Sequence, residues 1–182
     1  MKRMLDVVVT LVALVVFAIP MIFVALAVRL SSSGPVLYWS DRVGRNNIIF
    51  AMPKFRTMRV DTPVLPTHLL QDPASFLTPI GSFLRKSSLD ELPQLWNVLL
   101  GDMSLVGPRP NLFNQEELIN ERDQRGVYQV VPGITGLSQI NKIDMSTPQL
   151  LAETDAKMTS QLTVVQYFYY IIATVLGKGS GD

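Results

Sequence analysis

The longest hydrophobic stretch in the chain, Val7 to Val28, carries no charged residue across 22 positions. A run of about 18 such residues already marks a candidate membrane segment. Pro20 divides it into 13 residues before and 8 after. Lacking an N–H, that proline removes a bond to the Val16 carbonyl and clashes with it, which predicts a bend. A helix broken there can enter and leave one leaflet; a kinked single crossing fits the same pattern, because membrane helices tolerate proline. Lys2 and Arg3 precede the run and Arg29 closes it, so both flanks favour the cytoplasmic side. No small-residue cleavage site follows, and the segment is expected to stay on the protein. Asp6, just inside the apolar border, is expected to pair with Lys2 or Arg3 in the interface.

Beyond the turn signal Ser31 to Pro35, two runs rich in β-branched and aromatic residues flank a polar turn, Arg45-Asn46-Asn47, and predict a β-hairpin. In the second run Phe50, Met52, Lys54, Arg56 and Met58 fall on one face at period two, so Lys54 and Arg56 are expected to point the same way. Pro53 makes this an edge strand. Asp61 to Pro79, with Pro63, Pro66, Pro73 and Pro79, reads as a loop in which His68 is a surface residue. Thr78-Pro79 reads as N-cap and first position of a helix, Ile80 to Lys86, whose last turn delivers Arg85 and Lys86.

Two adjacent carboxylates follow at once, Asp90 and Glu91, at the expected start of another short helix. Leu92, Leu95, Trp96 and Leu99 form one apolar face at i, i+3, i+4 and i+7, and Gly101 supplies the stop. Pro93 fits only in the first turn, which places both carboxylates near the positive end of the peptide dipoles. Ser88 and Glu91 read as a capping box, S-x-x-E, and the same pair of acids also suits chemistry on phosphates. Downstream, Arg109 is framed by Pro108 and Pro110, a rigid bend that fixes its direction, whether as a brace for the fold or as a phosphate clamp. Asn114 to Gln124 reads as a charged helix and Val130 to Ile140 as a Pro/Gly turn segment. A helix is predicted from Thr147-Pro148 through Lys157. The 15 uncharged residues Leu162 to Leu176 are too short for a comfortable crossing and read as a core or interfacial helix.

Composition narrows the chemistry. There is no cysteine, so disulfides and thiolate sites are excluded, and a single histidine excludes an imidazole-based zinc site. Residues 1 to 60 hold 8 Lys or Arg and 2 Asp or Glu, net +6, while the remainder is net −5. The basic third therefore borders the apolar segment, which points to anionic lipid rather than nucleic acid. The expected architecture is α+β: a proline-broken re-entrant helix over residues 1–33, a small helix-rich catalytic domain with a β-hairpin over 34–176, and a flexible tail, 177–182.

The segments KFRTM, SFLRKSSLDELPQLWNVLLGDMSLVGPRP and PGITGLSQI, in that order behind a basic start and a proline-broken apolar helix, closely resemble the bacterial monotopic phosphoglycosyl transferases, also called initiating sugar transferases. The match runs over nearly the whole chain, at a length similar to the small catalytic-core members. Two departures stand out: Ile19 precedes Pro20 where many members carry serine, and Gln166 stands where several carry an acid.

The resemblance implies transfer of a sugar phosphate from a UDP-sugar to polyprenyl (undecaprenyl) phosphate with release of UMP, on the cytoplasmic face of a bacterial inner membrane. It implies Asp90 as nucleophile forming a covalent phosphosugar intermediate, Glu91 beside it, and Mg²⁺ on these two carboxylates. It also implies Lys54, Arg85 and Arg109 as phosphate-binding cations and Pro20 as the membrane bend, which tips the two topologies toward re-entry. Downstream glycosyltransferases or a second copy of the chain are further partners that this reading allows. The rivals are a membrane-attached, metal-dependent hydrolase of nucleotide sugars or lipid diphosphates and a non-enzymatic membrane adaptor.

Overall fold

A computed structural model describes residues 2–65 and 70–178; His68 and the last four residues of the expected tail lie outside this range. The architecture is α+β. The first helix, α1, is one span, Lys2–Ser31, with Pro20 inside it rather than between two helices. Among the described residues it is the one helix long and apolar enough to cross a membrane.

Helix α1 lies against the rest of the protein at both ends. Leu5, Val9, Ala13 and Leu14 pack on a core cluster that includes Met52, Leu95, Val98, Met103, Tyr167 and Tyr170. Met21 and Ala25 pack beside Val24 and Val28 on a second cluster with Phe55 and Leu84. Its other face, including Val8, Val12, Val15, Ile19 and Phe23, is exposed. Asp6 makes no direct ion pair with Lys2 or Arg3 among the described residues, although its charge acts on Lys2. It is buried, and accepts hydrogen bonds from Ser104 Oγ at 2.9 Å, Leu105 N at 3.0 Å and the Tyr167 hydroxyl at 2.8 Å. An acid in an apolar helix is tolerable when such donors replace water. Arg3 instead donates to the Val98 and Leu99 carbonyls, and Lys2 to Ser104 Oγ.

The expected hairpin is present as β1, Leu37–Val43, antiparallel to β2, Ile49–Phe55. Asn46 and Asn47 both take positive φ at its turn, which short polar side chains permit. The strand ends at Phe55, so the predicted alternation stops there and Arg56 does not share the role of Lys54. Arg56 is buried and donates to the carbonyls of Ser32 and Ser33, clamping the exit of α1. Gly34 makes room for it: φ is +118°, and a Cβ would lie 1.9 Å from Arg56 Nη1.

Helix α2, Gly81–Lys86, begins one residue later than expected, because Thr78 Oγ1 donates to the Thr57 carbonyl rather than capping it. The helix at the dyad is shorter than the pattern suggests. A 3-10 turn, Leu89–Gln94, leads into α3, Leu95–Leu100, which stops at Gly101. This rotates the buried face to Leu95 and Val98 and leaves Trp96 exposed.

A second sheet was not predicted. Strand β3, Ser104–Val106, pairs in parallel with β4, Gly133–Thr135, inside the segment read as a turn. Glycine is needed at 133, where a Cβ would come within 2.0 Å of the Gly107 nitrogen. Helix α7, Val164–Val175, packs on both strands of this ladder, and α4, Glu116–Gln124, α5, Leu137–Ile140, and α6, Pro148–Gln161, complete the domain, α4 and α5 each packing on α6. Gln166, the departure noted above, completes a capping box with Thr163 at the start of α7.

Candidate active site

Asp90 and Glu91 lie in the first turn of the 3-10 segment, between Leu89 and Leu92, which pack toward Val24, Val28 and Leu84. The capping box is absent. Ser88 has φ +55° and its side chain makes no cap bond. Glu91 turns the other way: its Oε1 accepts from Lys54 Nζ at 2.7 Å and from Arg109 Nη2 at 3.1 Å. Two of the three cations implied by the family resemblance thus meet on one carboxylate oxygen.

Each cation is placed by its own element. Lys54 projects from β2 opposite Tyr38. Arg109 sits on a segment fixed through three successive carbonyls, each bonded by a different part of the chain. Gly133 N donates to Pro108 O at 2.9 Å, Arg122 Nη1 to Arg109 O at 2.8 Å, and Arg42 Nη1 to Pro110 O at 3.2 Å. Prolines cannot donate, so a Pro-Arg-Pro bend is anchored by what it accepts. Arg85, at the end of α2, is held by Thr57 Oγ1 at 3.2 Å and the Met58 sulfur, and its charge acts on Asp90.

The two carboxylates are electrostatically unlike. Burial, reinforced by the charge of Glu91, pushes Asp90 up to about 6 against the opposing pull of Lys54, Arg85 and Arg109. For Glu91 burial is outweighed by Lys54 and Arg109, with a smaller contribution from Arg42, and its acid is held at about 2. Such a split assigns different work to neighbouring acids. Asp90 is 6% exposed, yet its carboxylate accepts no hydrogen bond among the described residues. The charges of Lys54, Arg85 and Arg109 act on it from nearby instead.

Two arginines that support the Arg109 bend are not singled out by the sequence. Arg122 is fully buried, pairs with Asp155 at 2.6 Å and bonds Asn111 Oδ1 at 2.9 Å. It lies in a helix that reads simply as charged, with nothing to distinguish it from its solvated neighbours. Arg42 lies on the hairpin face of Lys54, at period two from Ser40 and Tyr38; the hairpin register would have found it.

Lys54, Arg42, Arg85 and Arg109 around two carboxylates leave excess positive charge, an arrangement suited to an anionic ligand. The description "Bacterial sugar transferase" belongs to the family whose pattern residues 1–178 match. The chain belongs to that family, which makes it an enzyme of the transferase class. It is 42% identical over 153 residues to the galactosyl transferase CpsE of Streptococcus agalactiae, covering 77% of this chain and 33% of that protein. It is 42% identical over 154 residues to the UDP-glucose:undecaprenyl-phosphate glucose-1-phosphate transferase of Xanthomonas campestris, covering 82% and 31%. With the exopolysaccharide production protein PSS of Rhizobium leguminosarum it shares 39% over 182 residues, covering 94% and 88%. The chain thus spans about a third of the first two relatives and most of the third.

Proposed function

We propose that this chain transfers a sugar 1-phosphate from a UDP-sugar to polyprenyl phosphate, releasing UMP, in the first membrane step of bacterial glycoconjugate synthesis. The observation that carries this reading is a buried aspartate whose carboxylate accepts no hydrogen bond among the described residues, set beside a glutamate that holds two cations on one of its oxygens. Asp90 is ionised at neutral pH and available to attack; Glu91 holds Lys54 and Arg109 in place. The relatives' names differ in the sugar, galactosyl in one and glucose in another, so the class of donor is proposed and not the sugar.

In the proposed first step an Asp90 oxygen attacks the phosphorus that bears the sugar. The bond from that phosphorus to the bridging oxygen breaks, and UMP leaves with the electron pair. In the second step an oxygen of the lipid phosphate attacks the same phosphorus and Asp90 leaves. Two displacements replace one in which two phosphate anions must approach each other directly. Arg109 and Lys54 spread the charge on the leaving phosphate, and Arg85 steadies Asp90 as a carboxylate.

Mg²⁺ fits this donor set. Asp90 and the second oxygen of Glu91 carry no hydrogen bond among the described residues, and those residues offer no closed cage of three or more His, Cys, Asp or Glu. That suits an ion that takes one or two carboxylates and fills its remaining positions with water and phosphate. Asp90 and Glu91 would hold it, and when bound it neutralises charge on the diphosphate.

We place α1 in the cytoplasmic leaflet of the inner membrane as a re-entrant element. Its flanks are basic, its outer face is apolar, and both its ends rest on the same domain. Val165, Phe168, Ile172 and Val175 of α7 are further exposed apolar residues.

Exchange of labelled UMP into UDP-sugar, in detergent with Mg²⁺ and without lipid, tests the reading. Exchange by the wild type and none by Asp90→Asn is expected. An enzyme that turns over with lipid but shows no exchange without it would lack the covalent step. Hydrolysis of the UDP-sugar without transfer to lipid would make it a hydrolase.

A further inference from the structure

We infer that Arg42 is a further phosphate-binding residue of this site, gripping an oxygen of the donor diphosphate beside Arg109. The inference rests on the transferase reading above and goes beyond it by adding a ligand that the dyad and its cations do not include. Arg42 extends from β1 on the same hairpin face as Lys54, and β1 bridges Leu112 at this residue, which brings its side chain to the Pro-Arg-Pro bend. Two of its nitrogens are committed. Nε donates to Ser40 Oγ at 3.0 Å, and Nη1 donates to the Pro110 carbonyl at 3.2 Å. These bonds fix the plane of the guanidinium, and Ser40 is itself buried. The remaining nitrogen, Nη2, has no hydrogen-bond partner among the described residues.

A brace for Pro110 alone would not need a charge here. Burial and the neighbouring Arg109 both disfavour the Arg42 cation and bring it down to about 10, with Tyr38 and Glu91 opposing. Two guanidinium groups that repel each other across a single carboxylate are relieved when a dianion lies between them. Each can then offer parallel N–H groups to phosphate oxygens. The diphosphate of the nucleotide sugar and the lipid phosphate share this chemistry, and the experiment separates them.

Binding of UDP would be measured by calorimetry on the full chain in detergent, with wild type, Arg42→Gln, Arg109→Gln and the double variant. Losing one charge-assisted contact should weaken UDP by about tenfold or more. The double variant decides between ligand and brace. If Arg42 binds phosphate itself, Arg42→Gln weakens UDP further in the Arg109→Gln background. If it acts only by holding Arg109, it adds nothing there, and the inference falls. Ser40→Ala, which leaves the charge but frees the guanidinium, should weaken UDP by a smaller factor and serves if Arg42→Gln does not fold. A rise in the KM for polyprenyl phosphate with unchanged UDP affinity would move Arg42 to the lipid phosphate and overturn the donor assignment. Absence of UMP release from the wild type with any UDP-sugar would overturn the transferase reading and this inference together; unchanged UDP affinity in an active, folded Arg42→Gln enzyme overturns this inference alone.

Discussion

The hydroxyl of Tyr167 donates to Asp6 Oδ1 at 2.8 Å, joining the last helix to the first across 161 residues of sequence. Both residues are buried. Removing the hydroxyl leaves Asp6 with its Ser104 and Leu105 donors only, and a carboxylate short of a partner costs about 1–3 kcal/mol. Tyr167→Phe should therefore lower the melting midpoint by several degrees, at about 2–4 °C per kcal/mol for a chain of this size. An unchanged midpoint in detergent would mean that the bond contributes nothing.

The position of Lys2 gives a test of topology. Its ammonium donates to Ser104 Oγ at 2.7 Å, so the start of α1 and the domain are expected on one side of the membrane. Lys2→Cys should react with an impermeant maleimide from the cytoplasmic side. Reaction from the periplasm alone would make α1 a crossing helix.

Opposite pH dependence is expected of the two acids. The fold raises Asp90 from 3.8 to about 6, so its contribution to stability is complete below pH 3.8 and is lost as pH rises through about 6. Without metal, Asp90→Asn should then be more stable than wild type at pH 8, by something on the order of 3 kcal/mol at most, with the gap closing toward pH 4. Glu91 is lowered from 4.5 to about 2, so its contribution is present above pH 4.5 and is lost as pH falls through about 2. Glu91→Gln should be the less stable protein at neutral pH. Thermal unfolding from pH 4 to 8 in EDTA checks both, and an Asp90→Asn protein less stable than wild type at pH 8 would contradict the first.

Asp155 is the sole carboxylate paired with the buried Arg122 guanidinium among the described residues, and it also accepts from Ser138 Oγ at 2.6 Å. Asp155→Ala leaves that cation uncompensated in the interior, which costs about 3–5 kcal/mol. Because Arg122 holds the Arg109 carbonyl, the variant should lose donor affinity as well as stability. Full UDP affinity in a destabilised Asp155→Ala protein would show that Arg109 keeps its place without this support.

What the sequence made legible was local. The hairpin, α2, α4, α6 and α7 each announce themselves by periodicity or turn residues within their own few residues. The dyad and its companions stand in patterned segments that the family resemblance could carry over. Long-range placement was less visible. Asp6 reads as a border charge because its donors lie about a hundred residues or more away. Strands β3 and β4 are three residues each, too short for any alternation to show. Ser88 and Glu91 have capping-box spacing, but Lys54 and Arg109 claim the glutamate first. Charged interactions formed by tertiary packing outweighed a local motif.

Leu89 and Leu92 stand on either side of the dyad and pack toward the Val24 and Val28 end of α1. In the proposed placement of α1 the carboxylates are in effect mounted on the helix that beds into the leaflet, and their altitude above the hydrocarbon follows how deeply that helix sits. A lipid phosphate has an altitude of its own, fixed by the headgroup layer. In that placement the two meet when those levels coincide, and α1 would act as a depth gauge for the proposed transfer. A bilayer that lets it ride higher or sink lower should alter the rate without altering a single contact inside the site.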